Sequence, residues 1–555
     1  MFYRFTDLGV RSRRRIMAIA AILTIPVLAG CGLDESAASE PAPPVAAEAA
    51  EALRGAPPLA WGPCAGAADP RQQCATIEVP LDYQAPRGRK IEIAISRIPS
   101  ATPDLRRGVL LLNPGGPGGS GLDLPSFAVT VLPQSVLDRY DLIGFDPRFV
   151  GSSTPLTCGL TALERGPQHQ PAGFDATIGV ARDIAERCRA AAGSFLPFAT
   201  TANTARDLDL IRCALGEPTI SYLGYSYGTY LGAVYASMFA DHVDRFILDS
   251  AVDPGAVWRG AARAWGPGGE QRFGDFAAFA AAHADTYHVG STAAEVHRFA
   301  LGLIDQLDRA PIALAGGRSI SGEAVRSLTF QGLYAPDDVF PQIAEIWGDT
   351  VAAAREHRPP SDTTIDALTT PAPDNTLSAG FSILCGDAAW PRSVDHYRRE
   401  LAQDLSRSPL FAPIGSTIWP CAFWPGPPRE APIAISARGP RQILILQHLR
   451  DPATPYAGAL AMRAALGARA RLVSVDEGGH TVYAVTANRC ANAAGDAFLA
   501  SGTLPASDMF CPAEPPAAPS GARASDAAAS EADPDATARD QAIRALRRRI
   551  THARL

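Results

Sequence analysis

The stretch from Thr219 to Gly232 constrains the fold more than any other part of the chain. It reads Thr-Ile-Ser-Tyr-Leu-Gly-Tyr-Ser-Tyr-Gly-Thr-Tyr-Leu-Gly, so a short strand pattern leads through Gly-x-Ser-x-Gly into a helical pattern of small residues. A strand that turns directly into a helix holds Ser226 in a strained backbone, with its hydroxyl exposed above the sheet. Gly224 and Gly228 leave room for this turn because they carry no Cβ. The alternative is a tight turn that contains Ser226 by chance.

Short β-branched runs alternate with longer helical patterns through most of the chain. Continuous apolar strands separated by helices are typical of a parallel sheet covered on both faces. Between residues 256 and 375 strand runs become rare and helical patterns dominate. The sequence therefore predicts an α/β fold with a mostly parallel sheet and an inserted, mainly helical cap. The predicted strands are Ile91–Ile98, Gly108–Leu112, Leu142–Phe145, Ile220–Leu223, Phe246–Leu248, Ile443–Leu446 and Leu472–Val475.

The first thirty residues have the pattern of an export signal. Several arginines precede an apolar run from Ile16 to Gly30, which has the length of a signal-peptide core and is too short for a membrane span. Leu-Ala-Gly before Cys31 is typical of a bacterial lipoprotein signal, which predicts that Cys31 is lipidated. An ordinary secretory signal cut nearby is the alternative. Both interpretations predict export, and the first predicts a lipid anchor in the bacterial cell envelope, facing the periplasm or the surface.

Charge and residue spacing argue against some partners, and composition divides the chain into parts. Net charge is 50 − 57 = −7, which argues against a nucleic-acid partner. No metal-ligand spacing occurs, and we expect neither a metal nor a cofactor. The predicted parts are a signal peptide at 1–31, a flexible tether at 32–58, a core at 59–255, the cap at 256–375, a second part of the core at 376–512 and a disordered tail at 513–555.

Export would place the cysteines after Cys31 in an oxidising compartment. Nine cysteines remain, and Cys213 lies in an apolar helical pattern, so we expect it to be the buried thiol outside the disulfides. The other eight allow 105 connectivities. Proximity along the sequence alone predicts the pairs Cys64–Cys74, Cys158–Cys188, Cys385–Cys421 and Cys490–Cys511.

A glycine-rich loop from Asn113 to Gly121 follows the predicted strand Gly108–Leu112. So many glycines cost folding entropy, which indicates that the backbone approaches something closely. Attack by a serine on a carbonyl creates an anion that needs two N–H donors, and we predict Gly116 and Tyr227 for them. A phosphate-binding loop is disfavoured because no Gly-Lys-Ser/Thr follows. A purely structural loop is a further alternative.

A serine hydroxyl needs a general base, and the base needs an orienting carboxylate. In a fold of this kind the order along the chain is serine, acid, histidine. His480 follows the strand Leu472–Val475 in an open Asp-Glu-Gly-Gly-His loop. Asp451 follows the preceding strand and lies 29 residues before His480, a spacing that suits adjacent strand ends. The predicted catalytic group is Ser226, Asp451 and His480.

Other acids and one other histidine stay open as alternatives. Asp476 and Glu477 lie so close to His480 that their loop would have to fold back. Asp249 and Asp253, after the strand that follows the nucleophile helix, are reserve acids. His448 also ends a strand, but it precedes the predicted acid, so we interpret it as a packed loop histidine.

These motifs, with Phe145-Asp146-Pro147-Arg148 and Thr204–Leu208, resemble the α/β-hydrolase family of secreted tripeptidyl aminopeptidases and prolyl iminopeptidase-like serine peptidases. The resemblance covers roughly 59–512 and includes a family-like C-terminal region that ends in a cysteine after Leu504-Pro505. It implies removal of short N-terminal units from peptides under a helical cap. It also implies the same triad and the same oxyanion donors. Phe149 departs from the family, which usually has glycine there.

An aminopeptidase must also bind the charged N-terminus of its substrate, for which a cap carboxylate is the natural partner. The sequence offers Glu270, Asp275, Asp337 and Asp338 without choosing among them. The leading hypothesis is thus an exported serine aminopeptidase of di- or tripeptidyl or prolyl type. A carboxylesterase or amide hydrolase on the same fold is the first alternative. An inactive surface lipoprotein that only binds is the alternative from another class.

Overall fold

The computed structural model describes residues 58–166 and 173–514. The predicted signal peptide with Cys31, nearly all of the tether and residues 515–555 of the predicted tail lie outside this range. Within it, no helix is long and apolar enough to cross a membrane. The same residues contain no group of three or more His, Cys, Asp or Glu side chains that could hold a metal ion.

A ten-stranded sheet forms the centre of the molecule, in the order β1-β2-β3-β5-β4-β6-β7-β10-β11-β12. The strands from β5 to β12 in that order are parallel, and β1 to β3 add an antiparallel edge. The α/β fold with a mostly parallel sheet is confirmed. The strands are β1 Gly62–Pro63, β2 Gln73–Pro80, β3 Lys90–Ile98, β4 Gly108–Asn113, β5 Tyr140–Phe145, β6 Ile220–Tyr225, β7 Val243–Asp249, β8 Ile312–Ala313, β9 Ser319–Ile320, β10 Ile443–Arg450, β11 Ala470–Gly478 and β12 Met509–Cys511.

Helices cover both faces of this sheet. Every residue of β4 and β6 is buried, because neighbouring side chains of each strand enter separate clusters on opposite faces. Leu110 and Leu112 pack on one face, and Leu111 packs on the other. The helices are α1 Leu124–Val131, α2 Gln134–Leu137, α3 Ala162–Arg165, α4 Phe174–Ala192, α5 Thr201–Ala214, α6 Tyr227–Met238, α7 Arg259–Ala282, α8 Ala284–Tyr287, α9 Ala293–Arg309, α10 Gly322–Gly332, α11 Phe340–Glu356, α12 Asp362–Thr369, α13 Asp374–Asp387, α14 Val394–Leu405, α15 Ala412–Ser416, α16 Tyr456–Leu466 and α17 Arg489–Ser501.

The cap is built on helices α7 to α12 with the small β8–β9 hairpin between α9 and α10. Its side chains form a hydrophobic cluster of their own around Phe273 and Trp347. Leu410 and Phe411, which follow α14, pack into the same cluster. Ala453, in the loop after β10, joins it as well, so the cap rests on the carboxyl edge of the sheet.

Four disulfides connect neighbouring elements. They join Cys64 to Cys74, Cys158 to Cys188, Cys385 to Cys421 and Cys490 to Cys511, which confirms the pairing predicted from proximity. Cys213 stays outside them, as expected, but it is only partly buried. Its sulfur lies 3.1 Å from an Arg212 nitrogen.

Candidate active site

Ser226 lies at the sharp turn between β6 and α6. Its backbone has φ 57° and ψ −123°, a region that residues with a side chain seldom adopt. Such a conformation costs on the order of 1–3 kcal/mol and persists only where the surroundings hold it. Here the N–H of Ser226 donates to the carbonyl of Asp249 at 2.9 Å, which ties the turn to β7. The turn also needs glycine, because a Cβ on Gly224 would lie 2.6 Å from the carbonyl oxygen of Gly228.

The glycine-rich loop after β4 runs beside this serine. Gly115 and Gly116 have φ values of 89° and 114°. A Cβ on Gly115 would overlap the carbonyl of Tyr225 and lie 3.0 Å from the Cβ of Ser226. The loop is therefore glycine-rich because its backbone passes so close to the serine. This agrees with the close approach expected from the sequence.

Asp146 fixes the far end of the same loop. It follows β5 directly, and its Oδ1 accepts the hydroxyl of Ser120 at 2.6 Å and the N–H of Gly121 at 3.1 Å. Its Oδ2 accepts the N–H of Ser152 at 2.8 Å. Burial raises the pKa of Asp146, although these donors oppose the shift. One buried carboxyl thus holds two loops at the carboxyl edge of the sheet.

Asp451 and His480 form a buried pair at the ends of β10 and β11. The Nδ1 atom of His480 lies 2.8 Å from Oδ2 and 3.0 Å from Oδ1 of Asp451. Asp451 also accepts the N–H groups of Ala453 and Thr454, at 2.8 and 2.9 Å. Burial alone would raise the pKa of Asp451, but His480 and these donors outweigh it and hold the pKa below its ordinary value. The carboxyl group is thus ionised and aimed at the imidazole.

The cap contacts this histidine directly. The N–H of His480 donates to the carbonyl of Tyr334 at 2.7 Å. The two rings meet edge to face with centroids 5.1 Å apart. Tyr334 follows α10, so the cap helps to orient the imidazole.

Asp249 and Ser250 hold the loop after His480 through hydrogen bonds, and the sequence did not predict this arrangement, which we call the Asp249 clamp. The carboxylate of Asp249 accepts the N–H groups of Val482 and Tyr483, at 2.9 and 2.6 Å. The next residue, Ser250, accepts the N–H of Thr481 at 2.8 Å on its hydroxyl. Burial raises the pKa of Asp249 to about 7. Asp249 thus contacts the nucleophile turn through its carbonyl and the histidine loop through its side chain.

The alternative residues have other partners. Asp476 pairs with Arg450 at 2.8 Å, and Glu477 accepts a side-chain N–H of Asn488 at 2.8 Å. His448 is buried and donates from Nε2 to the carbonyl of Thr481 at 3.1 Å. Burial lowers the pKa of His448 to about 4, so it is neutral at pH 7. Through this hydrogen bond His448 helps to hold the loop that contains His480.

A cavity of about 180 Å³ lies between the sheet edge and the cap, and we call it the Ser226 cavity. Ser226, Gly116 and Tyr227 line it. So does Thr454, whose hydroxyl lies 3.3 Å from Nδ1 of His480. The rest of the wall is largely apolar and includes Pro117, Ala251, Val252, Trp258, Trp265, Tyr334, Leu384, Trp390, Trp419, Ala453 and Pro455.

Asp387 anchors one side of this wall from within. It ends α13, and its Oδ2 accepts Nε1–H of Trp258 at 2.9 Å and the hydroxyl of Thr201 at 2.6 Å. The Thr201 hydroxyl in turn lies 2.7 Å from the Tyr227 hydroxyl. Burial raises the pKa of Asp387 to about 6. This carboxyl therefore supports both an aromatic wall residue and the residue after Ser226.

Phe149 has a conformation that explains why glycine is usual at its position. Its φ is 73°, which glycine adopts at no steric cost. The ring is buried and packs edge to face on Phe195, with centroids 5.4 Å apart. The N–H of Phe149 donates to the carbonyl of Ser153 at 2.8 Å. Packing and this hydrogen bond offset the backbone strain.

Fold and site together define a serine hydrolase of the α/β-hydrolase fold. Two family models match the chain, one described as alpha/beta hydrolase fold at residues 108–315 and one as TAP-like protein at residues 409–511. A tripeptidyl aminopeptidase of Streptomyces lividans is 36% identical over 460 residues, 79% of this chain and 83% of that protein. The chain therefore belongs to the α/β-hydrolase family of tripeptidyl aminopeptidase-like serine peptidases.

Two mycobacterial relatives are nearly as similar. Serine protease Hip1 of Mycobacterium tuberculosis is 32% identical over 489 residues, 82% of this chain and 91% of that protein. Carboxylesterase B of the same organism is 31% identical over 518 residues, 88% of this chain and 95% of that protein. The family thus includes proteins named as peptidases and one named as an esterase.

Proposed function

We propose that this peptidase is an exported serine exopeptidase, an aminopeptidase of di- or tripeptidyl or prolyl type, that removes short units from the N-terminus of peptides. The observation that carries the proposal is the Ser226 cavity. Its wall combines the strained serine turn and the glycine loop with Thr454, which contacts the buried Asp451–His480 pair. The relative named tripeptidyl aminopeptidase supports the same conclusion.

In the proposed mechanism, the Oγ atom of Ser226 attacks the scissile carbonyl carbon and its proton passes to Nε2 of His480. Asp451 accepts the Nδ1–H of the imidazole and stabilises the cation that forms. The tetrahedral oxyanion accepts hydrogen bonds from the N–H groups of Gly116 and Tyr227, of which the second lies in the first turn of α6 and has no acceptor within the helix. Collapse expels the amine, which takes the proton from His480, and leaves an acyl-enzyme. Water then repeats the sequence and releases the acid.

Export and lipid anchoring form part of this proposal. The arginines and apolar run before Cys31 support them, and four disulfides agree with an oxidising compartment. Labelling of growing cells with a radioactive fatty acid tests the anchor. We expect label on the wild-type protein and none on Cys31→Ala. Equal label on both proteins would contradict lipidation at Cys31.

A carboxylesterase or amide hydrolase is the second candidate. The apolar wall of the Ser226 cavity and the relative named carboxylesterase B favour it. The chemistry at the acyl carbon is common to both candidates, so only the substrate distinguishes them.

Substrate comparison decides between the candidates. We expect the purified protein to hydrolyse tripeptide p-nitroanilides with a free N-terminus at least about tenfold faster, in kcat/KM, than their N-acetylated forms. Mass spectrometry of an unblocked peptide library then gives the length of the unit released. Faster hydrolysis of blocked peptides or short acyl esters would overturn the exopeptidase proposal. Ser226→Ala is the control, and a fluorophosphonate that fails to label Ser226 in folded protein would favour a binding role.

A further inference from the structure

The Ser226 cavity has one charged side chain in its wall, as far as the structure describes it, and that side chain is Asp253. No arginine, lysine or histidine of residues 58–166 and 173–514 lines the same wall. A cation that enters an apolar cavity loses hydration, and a group of opposite charge compensates this loss most strongly. A single carboxylate in such a wall therefore favours a ligand with one positive charge.

The backbone that carries Asp253 is firmly held. The N–H of Ala251 donates to Oε1 of Gln447 at 2.8 Å, and the N–H of Val252 donates to the hydroxyl of Thr229 at 3.0 Å. Thr229 belongs to the helix that follows Ser226. The position of Asp253 is thus fixed relative to the nucleophile, which a recognition group requires.

The carboxylate itself keeps capacity for a ligand. Its Oδ1 accepts the N–H of Gly255 at 2.8 Å, which is an uncharged donor. Asp253 is half-buried, so it lies where the cavity meets solvent. Gly458 leaves space beside it, because a Cβ there would lie 3.0 Å from the Asp253 nitrogen and 3.4 Å from its Cβ.

The acids predicted for this purpose lie elsewhere. Glu270, Asp275, Asp337 and Asp338 are not part of the cavity wall. Glu270 accepts the N–H of Leu410 at 2.7 Å and pairs with His297 at 3.0 Å. Asp275 and Asp337 pair with Arg272, at 2.7 and 2.8 Å.

We propose that Asp253 binds the α-ammonium group of the peptide substrate and so limits cleavage to units near a free N-terminus. The inference rests on the proposed exopeptidase function and adds the residue that selects the N-terminus. It requires the peptide to extend from Ser226 towards the rim of the cavity, with its apolar side chains against the tryptophans. Asp253, one of the two reserve acids of the sequence analysis, is thus assigned to substrate binding and not to the orientation of His480.

The test compares Asp253→Asn with the wild type on a tripeptide p-nitroanilide and its N-acetylated form. Asparagine keeps the shape and an oxygen for the Gly255 N–H, but it lacks the charge. We expect kcat/KM for the free peptide to fall about 10- to 100-fold, mainly through KM, whereas kcat/KM for the acetylated peptide changes less than about twofold. Labelling of Ser226 by a fluorophosphonate should keep its rate. Asp337→Asn, a cap acid outside the cavity wall, is the matched control.

The possible results separate the two proposals. If the wild type prefers the free peptide but Asp253→Asn and Asp253→Ala keep that preference, Asp253 is not the ammonium site and the exopeptidase function stands. If the wild type shows no preference for the free peptide, both proposals fail. Loss of the preference in Asp337→Asn alone would assign the ammonium site to the cap.

Discussion

At the scale of single residues, the orientation of His480 depends on Asp451. The carboxylate accepts Nδ1–H of the imidazole and is itself held by backbone N–H groups. It therefore selects the tautomer in which Nδ1 carries the proton and Nε2 can act as the proton acceptor. An amide at this position would keep the shape but present a donor as well as an acceptor to the ring.

Asp451→Asn should lower kcat by roughly 10⁴-fold, the size of effect found when such a triad loses its orienting acid. Circular dichroism should show an unchanged fold, and labelling by a fluorophosphonate should slow in parallel with kcat. Asp476→Asn, which alters an acid near His480 that pairs with Arg450 instead, should keep kcat within about twofold. A normal kcat in Asp451→Asn would remove Asp451 from the mechanism.

The sequence predicts Ser226, Asp451 and His480 because each lies within two residues of the end of a strand. Parallel strands end at one edge of a sheet, so residues after β6, β10 and β11 are expected at that edge. The clamp by Asp249 was not predictable in the same way. Its partners Val482 and Tyr483 lie more than 230 positions later, and their N–H groups leave no pattern in the sequence.

At the scale of elements, Asp249 joins β7 to the loop between β11 and α17. Removal of its side chain would leave the buried N–H groups of Val482 and Tyr483 without their acceptor. Each buried group that loses its partner costs about 1–3 kcal/mol. The His480 loop would then be less well ordered.

Because two N–H groups lose their acceptor, Asp249→Ala should lower the free energy of unfolding by about 2–6 kcal/mol and reduce kcat about tenfold. Asp249→Asn keeps one acceptor oxygen and should recover part of both losses. Urea unfolding and steady-state kinetics measure the two effects. A loss of stability in both variants with unchanged kcat would show that the clamp does not position His480.

The elements themselves were predicted unevenly. Strands at the centre of the sheet are continuous apolar runs, so the sequence indicates where they lie, although the observed ends extend up to four residues beyond the predicted ones. Strand β2, Gln73–Pro80, lies in the antiparallel part of the sheet and was not predicted, because its polar residues and proline interrupt any continuous apolar run. The first half of α7 contains Gly266-Pro267-Gly268-Gly269, which local propensity assigns to a loop, so the sequence does not indicate where this helix begins. Tertiary packing makes this segment helical, and Gly266, Gly268 and Gly269 are buried within the helix.

At the scale of the whole molecule, the disulfides are local and the cap is held by packing. The four bridges span 10, 30, 36 and 21 residues, which is why sequence proximity was enough to predict them. None of these bridges begins or ends between Arg259 and Thr369, within the part of the chain that the structure describes. The docking of the cap through Leu410 and Ala453 is non-local and could not be read from the sequence.

Buried carboxyl groups also make the stability of the whole fold depend on pH. Burial raises the pKa of Asp387 from 3.8 to about 6, so between these values the folded protein binds more protons than the unfolded chain. The stability that Asp387 contributes is therefore fully present below about pH 4 and is lost as pH rises through about 6. Asp209 acts in the opposite sense. Burial would raise its pKa, but His242 and Arg212 hold that pKa below its ordinary value, so its contribution is lost only in acid.

Asp387→Asn isolates the first effect, because an amide mimics the protonated carboxyl and does not titrate. Relative to the wild type, the free energy of unfolding of the variant should rise by roughly 1–3 kcal/mol between pH 4 and pH 7, since one pKa unit corresponds to about 1.4 kcal/mol. A constant offset from altered hydrogen bonds to Trp258 and Thr201 does not affect this slope. Asp209 is present in both proteins, so its contribution cancels in the difference. Urea unfolding at several pH values measures the difference in the free energy of unfolding between the two proteins. If this difference does not change with pH, Asp387 is already ionised in the fold at pH 4.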